Sequence, residues 1–316
     1  MASVSKRDGE VERALEMLRS GQADSVTEAA TECGAPRTTV RDRWHREQTG
    51  IPHVADSLVE IPDEPTGGEI PVFERDYSHL SDLHVYPLGD LHIGSPGFAE
   101  AAFDEWVSYL CETDGVSMLG TGDFLNCALS SSVSDEYSEK LPVREARRLF
   151  SQKIRPLADA DKLDCIIDGN HEMRVWRSTG DSPTAAVADA LGVHYSMAAV
   201  VIRYLVGDQT YNVYLRHGTG GGSTMGAAVN RLEKQERIID ADVYVSGHTH
   251  SQVAFPKNIF VPNGNGGFKR KKRLFVCSGS FLAYEDYAAT AGFPPAHIGA
   301  PRIYLGGEHH DMHASV

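Results

Sequence analysis

Five times along this 316-residue chain an apolar run of strand length breaks off into a short block of Gly, Asp, Asn and His. The blocks are, in order, Gly89-Asp90-Leu91-His92, Gly122-Asp123-Phe124-Leu125-Asn126, Gly169-Asn170-His171-Glu172, His217-Gly218 and Gly247-His248-Thr249-His250. In open α/β sheets the carboxyl ends of strands meet at one crevice, so the pattern predicts convergence of residues roughly 160 positions apart. In extended backbone, residues two apart point the same way, which would pair Asp90 with His92 and His248 with His250. A lone D-x-H or G-D is common at strand-to-loop turns and means little. Five blocks in series constrain the fold.

From about residue 83, apolar runs such as HVYPLGD, VSMLGTGD and LDCIIDGN alternate with helical segments over 97–112 and 143–157. A further helix starts at Ser182-Pro183, with Pro in the favoured first position, and stops at Gly192. VVIRYLVGDQTYNVYLRHG reads as a hairpin, a helix over 223–238 follows, and DVYVSGHTH, RLFVCSGSFL and PRIYL add strands. This order predicts layered α/β packing around two sheets. Residues 51–80, rich in Pro, Asp, Glu and Gly without period, read as a linker. That divides the chain into a helical module over 1–50, the linker, and a large domain over 81–316.

The first module reads as three short helices. Val11, Leu15 and Leu18 form one stripe, and Gly21 stops the first helix. Ser25-Val26-Thr27-Glu28 is a capping-box arrangement opening the second. After Gly34-Ala35-Pro36 a third helix begins, capped at or near Thr38, with Val40 and Trp44 inward and Arg37, Arg41, Arg43 and Arg46 outward.

The formal charge is −14. The first fifty residues hold 8 Lys/Arg against 9 Asp/Glu, leaving 22 against 35 in the rest. Such a surface excludes broad coating by nucleic acid, so any nucleic-acid contact must be focal. The dense basic patch is Lys269-Arg270-Lys271-Lys272-Arg273, after NGNGG; it reads as a hairpin tip or a grip on a phosphate backbone. The five cysteines are widely spaced with no C-x-x-C pair, which suits a reduced compartment. No apolar run is long enough to span a membrane, and the start lacks a secretory pattern. The expected location is cytoplasmic, without membrane partners.

The order D-x-H, G-D, G-N-H-E, H, G-H-x-H resembles the calcineurin-like metallophosphoesterase superfamily over residues 83–280. That resemblance implies a four-layer α/β/β/α sandwich carrying the small three-helix domain in front. Carried over by position, Asp90, His92 and His250 would hold one divalent metal ion, and Asn170, His217 and His248 a second. Asp123 would bridge them, and His171 would protonate the leaving oxygen or steady its charge. Glu172 is expected to orient His171. Two cations about 3.5–4 Å apart clamp a phosphoryl group and activate a water. Oxygen and imidazole donors without thiolate suit Mn²⁺ first, with Fe or Zn as alternatives.

DLHIG and GDFLN lack the G-D-x-x-D-R-G arginine of protein phosphatases and look more like the DNA-repair exonuclease branch and its viral relatives. SVTEAATECGAPRTTVRDRWHRE resembles a homeodomain-like helix-turn-helix, which implies DNA contact through Arg37, Arg41 and Arg43. The expectation is thus a dimetal phosphodiesterase or nuclease tethered to DNA. Two alternatives stand beside it. One is an esterase for nucleotides or phosphoproteins with a partner-binding helical module, the other a DNA-binding regulator with a non-catalytic esterase fold.

Overall fold

The computed structural model describes residues 6–49, 70–128, 139–220, 224–264, 266–284, 295 and 297–316. The chain divides into two compact units, Met1–Glu69 and Ile70–Val316.

In the first unit, α1 (Lys6–Arg19), α2 (Val26–Cys33) and α3 (Arg37–Thr49) enclose a core of Val11, Ala14, Leu15, Ala29, Ala30 and Val40. Ser25 caps α2 by accepting from the Glu28 N–H, while the Glu28 carboxylate accepts from the Asp24 N–H, one residue before the cap. Gly34 ends α2 in the left-handed region at φ 65, where a Cβ would strain the backbone. Helix α3 starts directly after Pro36, so Thr38, expected as its cap, lies inside the first turn. Arg19 bonds Glu47 and ties α1 to α3.

The second unit is a four-layer α/β/β/α sandwich, as expected. One sheet runs β12 (Met312–Ser315), β11 (Arg302–Gly306), β2 (Asp82–Leu88), β3 (Val116–Gly120), β4 (Leu163–Ile167), β5 (His194–Ser196). The other runs β1 (Val72–Tyr77), β6 (Ala199–Val206), β7 (Gln209–Arg216), β8 (Val243–Ser246), β10 (Phe268–Cys277), β9 (Val253–Pro262). Val85, Leu119 and Ile167 from the first sheet meet Ile202, Leu215, Val245 and Val276 from the second, which makes the central layer. Helices α4 (Glu100–Glu112), α5 (Val143–Asp159) and α7 (Pro183–Leu191) cover the outer face of the first sheet through Phe103, Phe150, Ile154 and Val187. Helix α8 (Met225–Glu233) covers the outer face of the second, with Leu232 against Tyr244 and Phe275. Strands β3 and β4 are buried at every position because both faces are covered, which is why they read as unbroken apolar runs.

Several elements depart from the sequence reading. Residues 72–77, assigned to the linker, form edge strand β1, paired in parallel with β6. The helix expected over 223–238 is α8 followed by a separate 3-10 turn, Lys234–Arg237. Helix α6 (Asn170–Thr179), β9 and β12 were not foreseen. Lys269–Arg273 is no hairpin tip: it lies within β10, in register with β9 from Lys257 to Val261. Among the described residues no helix is long and apolar enough to cross a membrane.

A polar tie joins the two sheets inside the sandwich. Asp164 on β4 has a fully buried side chain and accepts from Arg75 Nε at 2.8 Å, Tyr77 Oη at 2.7 Å and Tyr204 Oη at 2.6 Å. Two of its donors come from β1 and one from β6, so the tie fixes the edge of the second sheet to the first. Burial raises its pKa, and Arg75 and the hydroxyls oppose that rise. Removing one partner would leave Arg75 and two tyrosines without their acceptor. Asp164→Ala is expected to cost about 3–5 kcal/mol in urea unfolding; a loss below about 1 kcal/mol would show that the tie is not structural.

Candidate metal centre

Strands β2, β3, β4, β7 and β8 stop at Leu88, Gly120, Ile167, Arg216 and Ser246, and each of the five blocks follows directly. The first sheet supplies Asp90, His92, Asp123, Asn170 and His171; the second supplies His217, His248 and His250. The side chains are not aimed by strand alternation. Asp90 (φ 50), His92 (φ 50), Asp123 (φ 51), His248 (φ 74) and His250 (φ 53) are all left-handed. Asp and His are among the residue types enriched there, yet each still costs roughly 1–3 kcal/mol, strain that concentrates at functional sites.

Backbone bonds between neighbouring loops hold this geometry. The N–H groups of Asp90, Leu91, His92 and Ile93 donate to the carbonyls of Gly122, Asp123, Asp123 and Phe124. The fit depends on absent side chains. A Cβ on Gly169 would lie 2.1 Å from Asp123 Oδ1, and one on Gly122 would lie 2.7 Å from the Gly169 nitrogen.

The side chains form three groups whose donor atoms lie within 4.8 Å of one another: Asp90–His92–His250, His92–Asp123–His171 and Asp123–His217–His248. His92 Nε2 lies 3.2 Å from His250 Nε2, which is 3.5 Å from Asp90 Oδ1. His217 Nε2 lies 3.2 Å from both Asp123 Oδ2 and Asn170 Oδ1. Every residue expected to hold metal is therefore in this cluster, and Asp123 belongs to two of its groups. Asp90 and Asp123 are 0 % and 2 % exposed. Cys277 lies nearby, but burial pushes its thiol up to about 12, so the available donors are oxygen and imidazole. The set fits a divalent cation.

The second ring nitrogens are anchored, and this fixes tautomers. His217 Nδ1–H donates to the Thr121 carbonyl at 2.7 Å, leaving Nε2 toward Asp123. His248 Nε2–H donates to Gly220 at 2.9 Å, leaving Nδ1 as its lone pair. His92 Nδ1–H donates to Asn126 Oδ1 at 3.2 Å, and Asn126 Nδ2 donates to Glu139. Asn126 and Glu139 were given no role by the sequence reading; Asn126 stands inside the second block, whereas nothing local marks Glu139. Such outer contacts orient ligands and tune their basicity.

Glu172 does something other than expected. Its carboxylate accepts from the N–H groups of Asp123 (3.1 Å), Leu125 (2.8 Å) and Gly169 (2.9 Å) and has no bond to the His171 ring. It closes the start of α6 as the third residue after cap Gly169 and clamps the Asp123 loop to it. The clamped α6 terminus directs the His171 N–H at Asp123 Oδ1, 2.9 Å away, a favourable place for a carboxylate. The G-x-x-E spacing was the missed signal of this helix. The His171 ring is held instead by the Asn126 carbonyl at Nδ1 and by Arg174, whose guanidinium nitrogens lie 3.3 and 3.2 Å from its two ring nitrogens. Arg174, one helical turn beyond His171, is a further site residue.

Without metal, the buried acids raise His217 and His250. Burial would lower His217, but Asp123 and Asp90 hold it up at about 10. Burial likewise opposes His250, which Asp90 raises. His92 falls to about 3 through burial and the neighbouring His171 and His250. Burial and the Asp123 charge push Glu172 up to about 8, against its three N–H donors.

The basic run is elsewhere. Lys271 bonds Asp240, Lys272 bonds Asp311, and Arg273 bonds Glu236 and Asp240. Lys269 and Arg270 are exposed. Lys271 precedes Cys277, the β10 residue against Gly247, by six residues, roughly 20 Å along a strand. The run does not join the metal cluster. In the first unit Arg37 and Arg41 are exposed, and Arg43 is half-buried, 3.4 Å from Asp8.

No family model matches the chain, and no curated protein matches it. Among solved structures it is similar to a predicted phosphoesterase of Streptococcus pneumoniae, at 11% identity and TM-score 0.33 over 75% of this chain and 99% of that one. A metallophosphoesterase from Sphaerobacter thermophilus gives 15% and 0.34, over 74% and 89%. Vps29 from Entamoeba histolytica, complexed with zinc, gives 14% and 0.32, over 74% and 97%.

Glu172→Gln places an amide donor against backbone N–H groups and is expected to weaken Mn²⁺ binding about 10–100-fold with the fold retained. In the wild type, a cation must displace the proton held on His217, so affinity should rise with pH, with proton release in calorimetry. Wild-type affinity in Glu172→Gln, or affinity falling as pH rises, would contradict this description.

Proposed function

We propose that the chain is a phosphoesterase working with two divalent metal ions. Asp90, His92 and His250 would hold one, Asn170, His217 and His248 the other, and Asp123 would be shared. The observation that carries this reading is Asp123, a buried carboxylate placed in two histidine groups at once. Bound cations there would supply electrophilic activation of the phosphoryl oxygens and a water of lowered pKa.

The remaining work falls to the chain's own side chains. The oxygen of water bonds to phosphorus as the bond to the leaving oxygen breaks; one proton ends on the leaving group and the other passes to solvent. His171 suits that transfer, because its Nδ1–H is fixed on the Asn126 carbonyl and Nε2 lies 3.9 Å from Asp123 Oδ2. Burial lowers its pKa, so a proton taken up at Nε2 is readily passed on. Arg174 beside the ring adds a fixed positive charge where phosphoryl oxygens gather.

A DNA-directed role is supported by the first unit alone, through its Gly34-Ala35-Pro36 turn and the exposed Arg37 and Arg41 on α3. The basic run adds nothing to it, since three of its five cations pair with the protein's own acids.

Asp123→Ala is expected to remove metal binding and turnover together. His171→Ala should keep the metal and lose about 10²–10⁴ in kcat on substrates with poor leaving groups. Full kcat in His171→Ala would refute its role. A Mn²⁺-loaded panel of DNA, nucleotides and phosphopeptides identifies the substrate class; turnover of none by metal-loaded protein would favour the non-catalytic regulator.

A further inference from the structure

Beside the metal cluster lies a second feature with a chemistry of its own. A cavity of about 490 Å³ opens between α8 with its 3-10 turn and the ends of β7, β8 and β10. His248 stands in its wall, so the cavity adjoins the group formed by Asp123, His217 and His248. Its lining among the described residues includes Arg216, Arg231 and Lys234 and no Asp or Glu. In a chain with 44 acidic residues and a charge of −14, a carboxylate-free lining with three cations is a local reversal of sign.

Two of those cations are uncommitted. Neither Arg216 nor Lys234 forms an ion pair among the described residues, whereas Lys257, Lys271, Lys272 and Arg273 do and Lys269 and Arg270 do not. Arg231 serves the wall, donating from Nη1 to the Gly220 carbonyl at 2.7 Å. Gln235 also lines the cavity; it is 4 % exposed, and its Oε1 is buried with no hydrogen-bond partner. Buried polar atoms are ordinarily satisfied, and a half-turn of this amide would offer an N–H instead. A cavity of this size holds a small-molecule fragment rather than water alone.

We propose that this cavity receives a second, non-reacting phosphate of the substrate while the scissile phosphoryl group lies at the metal cluster. The inference rests on the phosphoesterase reading and narrows it: the substrate carries at least two phosphates in succession. Arg216 and Lys234 neutralise the second phosphate, and the Gln235 amide hydrogen-bonds to it. The same chemistry is offered by a nucleoside polyphosphate and by a nucleic-acid strand.

The test uses the full Mn²⁺-loaded chain with bis(4-nitrophenyl) phosphate, which has one phosphate, and with ADP and pdTpdT, which have two. In the Arg216→Ala/Lys234→Ala variant, the ratio of kcat/KM for two-phosphate over one-phosphate substrate should fall at least tenfold, mainly through KM. An unchanged ratio overturns the proposal and leaves the phosphoesterase reading intact. A fall for ADP alone identifies a nucleoside polyphosphate, a fall for pdTpdT alone a strand, and a fall for both the shared chemistry. Gln235→Leu should lower the same ratio while thermal stability holds or rises, since it removes an unsatisfied buried acceptor. Lost stability with an unchanged ratio would make Gln235 structural and remove it from the proposal. The phosphoesterase reading itself fails if the wild type turns over none of these three and none of the DNA, nucleotide and phosphopeptide panel. Calorimetric binding of ADP and pdTpdT then decides the cavity: tenfold weaker binding by the double variant supports it, and equal binding overturns it.

Discussion

Two buried carboxylates with no Lys or Arg beside them among the described residues set the terms for this structure. Asp90 and Asp123 are withdrawn from water, and among the described residues neither forms an ion pair with a Lys or Arg. Such charges are costly unless paired, hydrogen-bonded or bound to metal. The metal-free chain meets part of that cost through His217 and His250, whose pKa values these acids raise, and with backbone N–H groups from His171 and His248. The arrangement is poised for exchange, with divalent cations taking the place of bound protons.

The rest of the large unit can be understood as the apparatus that keeps those acids in position. Twelve strands among the described residues build the two sheets, whose apolar layer holds the ends of β2, β3, β4, β7 and β8 at one edge. Five left-handed Asp and His residues then turn their side chains into the gap, at an energetic cost the sandwich must carry. Glu172 locks the Asp123 loop to α6, and Asn126 with Glu139 steadies His92. Function and fold meet in the same contacts, so stability and metal affinity should respond together when that support is altered.

How much of this was legible in the sequence follows from what each feature depends on. The donor cluster was readable because metal chemistry restricts residue type, and Asp90, Asp123, His217 and His250 announce themselves in order beside apolar runs. The sandwich was readable for the same reason, since buried strands such as β3 and β4 must be apolar on both faces. Glu172 and the basic run were misread because their partners are remote. Nothing near Glu172 shows that it will accept from Asp123 and Leu125, and nothing near Lys271 or Lys272 points to Asp240 or Asp311. Strand β1 hid in a Pro-rich stretch because an edge strand tolerates polar alternation, and its register comes from β6.

The central claim is that Asp123 is shared between two cations. Metal analysis joined to anomalous diffraction from Mn²⁺-soaked crystals tests it directly. The account expects two ions per chain about 3.5–4 Å apart, with an Asp123 oxygen on each. A single ion, or two ions with Asp123 bound to only one, would contradict it.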